Sequence, residues 1–178
     1  MAGPVPGAGG APDHQRAVRA EPVTTIRTYR DGDAPAMADV YGRAVRAIGA
    51  RDYSPKQVEV WAGQGPTAKR FAARMADGRR CWVATDDAGP VMAFVDLEAD
   101  GHIDFLYADP DVAGRGVAGA LLDELEVAAA ADGMTRLYVE ASEAARRFFL
   151  KRGYAVIERR DFEVAGVAIH NYAMERRL

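Results

Sequence analysis

Residues 114–119 read Gly114-Arg115-Gly116-Val117-Ala118-Gly119. Three glycines in so short a span, set between a strand-like and a helix-like run, constrain the fold more than any other stretch. The run before them is Leu106-Tyr107-Ala108, and the run after them carries Leu121, Leu122 and Leu125. Glycines at such a junction let main-chain N–H groups approach an anion closely, and the dipole of the following helix favours negative charge there. A pyrophosphate is the natural guest. An ordinary tight strand-to-helix turn gives the same pattern, so the surrounding chain has to decide.

The hexapeptide matches the dinucleotide fingerprint G-x-G-x-x-G, and Glu140 ends the next strand at a suitable distance for a ribose contact. Three features oppose that reading. Residues 109–113 separate the strand from the glycines, where a dinucleotide fold turns almost at once. The preceding strands read as an antiparallel hairpin around Asp100-Gly101. Too little chain follows Glu140 to complete a nucleotide domain and a substrate domain.

The rest of the chain reads as one α/β domain. Residues 1–22 are rich in Gly, Ala and Pro with no periodic apolar face and are expected to form a flexible tail. A domain over residues 23–178 follows. Thr25 to Tyr29 reads as a strand. Asp33 is placed to cap a helix carrying Met37, Val40, Tyr41, Ala44, Val45 and Ile48 at helical spacing. Ser54-Pro55-Lys56-Gln57 is a capping box, and Thr67 caps a shorter helix with Phe71 and Met75. Cys81 to Thr85, Val91 to Leu97 and His102 to Ala108 read as strands. After the glycine-initiated helix come a strand at Arg136 to Val139 and a helix opened by Ser142 or Glu143. A closing hairpin pairs Tyr154 to Phe162 with Val167 to Met174 around Ala165-Gly166.

Composition narrows the function classes. The chain has 178 residues and a net charge of −3, without the basic excess of a dedicated nucleic-acid binder. Cys81 is the lone cysteine, so an intramolecular disulfide is excluded, and a buried small hydrophobe is its expected role. His14, His102 and His170 fit no zinc-ligand spacing, so no metal is expected. No apolar run is long enough to span a bilayer, and no signal peptide is evident. A cytoplasmic protein is the default expectation, with a homodimer left open.

Ala113-Gly114-Arg115-Gly116-Val117-Ala118 resembles motif A of the GNAT acyl-CoA N-acyltransferases, Arg/Gln-x-x-Gly-x-Gly/Ala, with Ala113 in place of the first residue. Ser142-x-x-Ala145-x-x-Phe148-Phe149-x-x-x-Gly153-Tyr154 resembles the family's motif B, commonly Asn-x-x-Ala-x-x-Phe-Tyr-x-x-x-Gly-Phe. The resemblance runs from Thr24 to Leu178 and includes element order. It implies the GNAT fold, a mixed and mainly antiparallel sheet flanked by helices, and acetyl transfer from acetyl-CoA to an amine by direct attack. The implied cofactor contacts are Leu106, Tyr107 and Ala108, then Ala113, Gly114, Arg115, Gly116, Val117, Ala118 and Gly119, then Ser142, Ala145 and Phe148. Phe149 stands where much of the family has a tyrosine that protonates the departing thiolate.

The acceptor is expected to be a small-molecule amine or an exposed protein amine. It arrives as ammonium, so the site needs a proton acceptor. His102 is the first candidate, since imidazole titrates near neutrality and some family members place a glutamate base there. Asp104 shares its strand face and Glu140 ends the strand beside the expected cleft; both are further candidates. Tyr53 and Trp61 fall in the segment that in this fold walls the acceptor pocket, and Trp61 also suits the core. His170 is able to face the cleft from the last hairpin, with nothing to distinguish it from a packed strand residue. Two alternatives stay open: another acyl donor on the same loop, or a regulatory module that holds acyl-CoA without turnover.

Overall fold

The computed structural model describes residues 24–87 and 89–178, so the segment read as a flexible tail lies outside the described residues. Strand β1 (Thr24–Thr28) is followed by helices α1 (Ala34–Ala47), α2 (Pro55–Gly63) and α3 (Ala68–Met75). The chain then runs through β2 (Arg80–Asp86), β3 (Val91–Leu97), β4 (His102–Ile103) and β5 (Leu106–Ala108). It continues with α4 (Val117–Ala131), β6 (Arg136–Ala141), α5 (Glu143–Lys151), β7 (Ala155–Val164) and β8 (Val167–Arg177).

The helix starts follow their side chains. Ser54 accepts from the Gln57 N–H at 3.2 Å while Gln57 accepts from the Ser54 N–H at 2.9 Å, closing the box that opens α2. Thr67 caps α3 through the Arg70 N–H. Asp33 departs from expectation. Its carboxylate does not cap α1; it takes both Arg27 nitrogens at 2.8 Å and the Arg30 N–H at 2.7 Å. An arginine on the neighbouring strand competes better for the charge than the helix end does.

The strands form two sheets, ordered β1-β2-β3-β5 and β4-β6-β8-β7. All pairings are antiparallel except the parallel pair β4/β6. Residues His102 to Ala108 were expected to form one strand; they are instead two short ones that belong to different sheets. The break sits at Asp104-Phe105. Its cause is Asp96, a fully buried carboxylate that accepts from the Phe105 N–H at 2.7 Å. Gly101, at φ 92°, makes the turn before the break, and a side chain there would collide with the Arg136 carbonyl.

Both faces of the β1-β2-β3-β5 sheet are covered. Trp82, Ala84, Val95 and Leu97 pack with Leu121, Leu122 and Leu125 of α4 and with Phe149 of α5. On the other face Val83 and Phe94 pack with Met37, Val40 and Val45 of α1 and Phe71 of α3. Alternation along β2 sends neighbouring residues to opposite cores. Cys81 is buried, and burial pushes its thiol pKa up, so it stays protonated. The closing hairpin turns on Ala165 and Gly166, both at positive φ, and runs longer than expected, to Arg177. Among the described residues no helix is long and apolar enough to cross a membrane.

Candidate active site

The gap between β5 and β6 organises the site. β5 pairs only with β3, at Ala93, Phe94 and Val95, and so forms the edge of its sheet. Its outer main-chain N–H and C=O groups face the gap unpaired.

Asp109 builds the turn that follows. Its carbonyl accepts from the N–H groups of Val112 and Ala113 at 3.0 and 3.1 Å, and its carboxylate takes the Asp111 N–H and Arg43. Gly114 and Gly116 then adopt φ of 80° and 83°, and no heavy atom lies within 4 Å of where a Cβ would stand. The main chain is therefore bare toward an incoming group. The first intrahelical bond of α4 runs from Ala120 N–H to Gly116 carbonyl at 3.0 Å, which leaves the N–H groups of Val117, Ala118 and Gly119 without an intrahelical acceptor. A 15-residue helix adds its dipole to these donors.

Beside this loop lies a cavity of about 240 Å³ lined by Ala113, Gly114 and Ala118, by Leu106, Tyr107 and Ala108, and by Ser142, Ala145 and Phe148. Nine of the expected cofactor contacts thus border one space. Arg115 and Val117 line a separate groove toward α1. Gly116 and Gly119 border neither. Ser142 accepts from the Ala145 N–H at 3.3 Å and so caps α5 where it meets the cavity.

A second cavity of about 260 Å³ adjoins the first. Tyr53, Trp61, Leu106, Tyr107, Ser142 and Ala145 line both. The second adds Asp104, Glu140, Phe149 and His170. Its aromatic wall is built from a distance: the Trp61 ring lies 5.4 Å from that of Tyr53, and the Tyr41 ring 4.7 Å from that of Tyr107. Phe149 is only 1% exposed and packs edge-on against Tyr154 at 4.8 Å, so one edge of this core ring borders the cavity.

The three proposed proton acceptors occupy different settings. His102 Nε2 lies 2.6 Å from Glu140 Oε2, and the imidazole stacks on Tyr138. Glu140 borders the cavity and His102 stands behind it. The hydrogen bond with Glu140 raises the His102 pKa, and the same bond holds Glu140 below the usual carboxylate range. Asp104 is ion-paired to Arg74 and to Arg79, the latter at 3.1 Å. Arg79 also binds Asp96 at 2.7 Å, which ties the cavity wall to the break between β4 and β5.

One cluster was not assembled by the sequence reading. Glu143 Oε1 lies 3.0 Å from His170 Nε2 and accepts from the Tyr172 hydroxyl at 2.6 Å, while Arg146 binds Oε2 at 3.1 Å. Burial alone would raise the Glu143 pKa; the bonds from Tyr172, His170 and Arg146 outweigh it and bring it down to about 2. The Tyr53 hydroxyl fastens both partners, donating to the His170 carbonyl and accepting from the Glu143 N–H at 3.1 Å.

Known proteins match this chain in sequence and fold. Residues 49–176 fit the family model described as an acetyltransferase (GNAT) domain. The Escherichia coli (strain K12) protein described as uncharacterized N-acetyltransferase YafP is 32% identical over 149 residues, which cover 84% of this chain and 93% of that protein. A GCN5-related N-acetyltransferase from Rhodopseudomonas palustris is 36% identical with a TM-score of 0.79, covering 89% of this chain and 97% of that one. The PaiA N-acetyltransferase of Thermoplasma acidophilum, solved with coenzyme A, shares the fold at 18% identity. Its TM-score is 0.69, with 88% of this chain and 99% of that one covered. By both family match and fold, the chain belongs to the GNAT family of acyl-CoA-dependent N-acetyltransferases.

Proposed function

We propose that residues 23–178 act as one domain that moves the acetyl group of acetyl-CoA onto a primary amine by direct attack. The amine belongs to a small molecule or is exposed on a protein. The observation that carries this reading is the meeting of two cavities at Leu106, Tyr107, Ser142 and Ala145. One runs to the bare glycine loop, which suits a pyrophosphate, and the other runs to Glu140, which suits an ammonium group.

Acyl-CoA, when bound, supplies the activated thioester. The N–H groups from Gly114 to Gly119 and the α4 dipole would hold its phosphates. Of the two candidate donors on β5, Tyr107 has its N–H turned toward Phe94 in the sheet, so Leu106 is the one that offers an edge-strand N–H to the oxyanion that develops at the carbonyl. Glu140, whose pKa the hydrogen bond from His102 holds below the usual carboxylate range, draws the cationic amine into the cavity. His102 positions that carboxylate through the 2.6 Å contact. Asp104, pinned by Arg74 and Arg79, adds negative potential from the adjoining wall.

The test is thiol release from acetyl-CoA with a panel of primary amines. Amine-dependent release is expected. Glu140→Gln should raise KM for the amine by about 10- to 100-fold, the worth of one charge-assisted hydrogen bond, with coenzyme A affinity unchanged. Tight binding of acetyl-CoA without amine-dependent release would instead favour a module that holds acyl-CoA without turnover.

A further inference from the structure

The acceptor cavity is flanked by two imidazole–carboxylate pairs of opposite orientation. In the first, the carboxylate of Glu140 borders the cavity and the imidazole of His102 lies behind it. In the second the order is reversed: His170 borders the cavity, and Glu143 lies behind it. The difference is chemical. A carboxylate facing the cavity attracts a cation, whereas an imidazole facing it with a carboxylate behind presents a lone pair.

His170 is built to do so. Its Nε2 is committed to Glu143 Oε1 at 3.0 Å, and among the described residues Nδ1 has no hydrogen-bond partner. With Nε2 carrying the hydrogen, the tautomer is set and Nδ1 is the basic atom. Glu143 is itself fixed by Tyr172 at 2.6 Å and by Arg146 at 3.1 Å, so it keeps its charge and its position. Tyr53 holds the main chain of both partners through one hydroxyl, and its ring lies 5.3 Å from the imidazole. Four side chains, from α5, β8 and the turn before α2, thus serve to place one imidazole, which is 16% exposed, at the cavity wall.

We infer that His170 is the general base of the transfer, taking the ammonium proton on Nδ1 while Glu143 acts as its positioning residue. The inference rests on the acetyltransfer reading given above. Glu140 receives the ammonium group and His170 takes one proton from it, freeing the nitrogen lone pair. That lone pair attacks the thioester carbonyl; the C–N bond forms, the C–S bond breaks, and sulfur leaves with the electron pair. The nitrogen then sheds its second proton. Of the two protons lost by the ammonium group, one neutralises the thiolate and the other reaches solvent. Phe149, which has no hydroxyl, takes no part in this transfer. The charged and titratable groups around His170 are Glu143 and Arg146 of α5, Tyr172 of β8, Asp161 opposite it on β7 with its ion-pair partner Arg159, Tyr53 before α2, and Glu140 across the cavity.

The experiment compares wild type, His170→Gln, Glu143→Gln and His102→Gln across pH with acetyl-CoA. The acceptor is the most active of 2-phenylethylamine, spermidine and an acetyl-capped lysine amide. His170→Gln should lower kcat by about 10²–10⁴-fold near neutrality and replace the acidic limb of the wild-type pH–rate profile by one that follows the free amine alone. Coenzyme A affinity should not change. The residual rate should rise with pH as solvent supplies more free amine. 2,2,2-Trifluoroethylamine, a much weaker base than those amines and largely neutral at pH 7, should narrow the gap between variant and wild type. His102→Gln should affect KM for the amine more than kcat. Glu143→Gln should give an intermediate loss in kcat. Nitrogen-15 NMR of the free protein should show the Nε2–H tautomer of His170 in wild type and a mixture of tautomers in Glu143→Gln. A His170→Gln variant that keeps the wild-type acidic limb and kcat overturns the assignment of the base alone. A wild-type protein that releases no thiol with any of these amines overturns the acetyltransfer reading beneath it.

Discussion

Tyr53 and His170, 117 positions apart in the chain, are joined by a 3.0 Å hydrogen bond from the phenol to the main-chain carbonyl. The same oxygen accepts from the Glu143 N–H. Tyr53 is buried, so Tyr53→Phe leaves a carbonyl and an N–H without their partner. The expected cost is about 1–3 kcal/mol of stability, read as a shift in the urea midpoint. Turnover should fall as well, with coenzyme A affinity little changed.

Gly116→Glu should fold and lose coenzyme A affinity, as measured by calorimetry. Open space surrounds the position, so the fold has nothing to collide with. The left-handed backbone adds a modest strain, and the added carboxylate repels phosphate at the helix start. Unchanged affinity would rule out the loop as the phosphate site.

Stability should respond to pH through the His102–Glu140 pair. The His102 pKa is raised by the hydrogen bond its imidazole donates to Glu140, so its contribution is complete below the unfolded value of about 6.5 and disappears as pH rises through the higher folded value. The Glu140 pKa is lowered by the same bond, so its contribution is present above about 4.3 and is lost as pH falls through the lower folded value. His102→Gln should flatten both flanks in urea midpoints recorded against pH.

Arg79→Met should be the most destabilising surface-proximal change, about 3–5 kcal/mol, because it strands the fully buried carboxylate of Asp96. Burial already pushes the Asp96 pKa up to about 6 despite Arg79. A raised acid stabilises the fold most below its unfolded pKa, so the variant should recover part of its loss as pH falls. Equal losses at pH 4.5 and 8 would contradict this.

Phe149→Tyr should remain folded with turnover equal to or above wild type, since the ring borders the acceptor cavity. A collapsed melting transition would show instead that the whole ring belongs to the core.

The glycine loop, the helix caps at Ser54 and Thr67 and the order of elements were legible because each depends on neighbours in the chain. Asp33 was misjudged because Arg27, on another element, claims its carboxylate. The break between β4 and β5 depends on Asp96 reaching Phe105 across the sheet, and no local pattern encodes that. His170 was placed beside the cleft by its strand, but its partner Glu143 lies 27 positions away. Alternation along His102, Asp104 and Leu106 suggested a shared face, yet only Asp104 and Leu106 of the three border the acceptor cavity.

The short segment from His102 to Ala108 serves two sheets, and the carboxylate of Asp96 grips it at the crossing point. Such a joint acts as a pivot fastened at its centre. One buried carboxylate thereby ties the edge strand beside the glycine loop to the short strand that carries His102, and loss of that single clasp would loosen both at once.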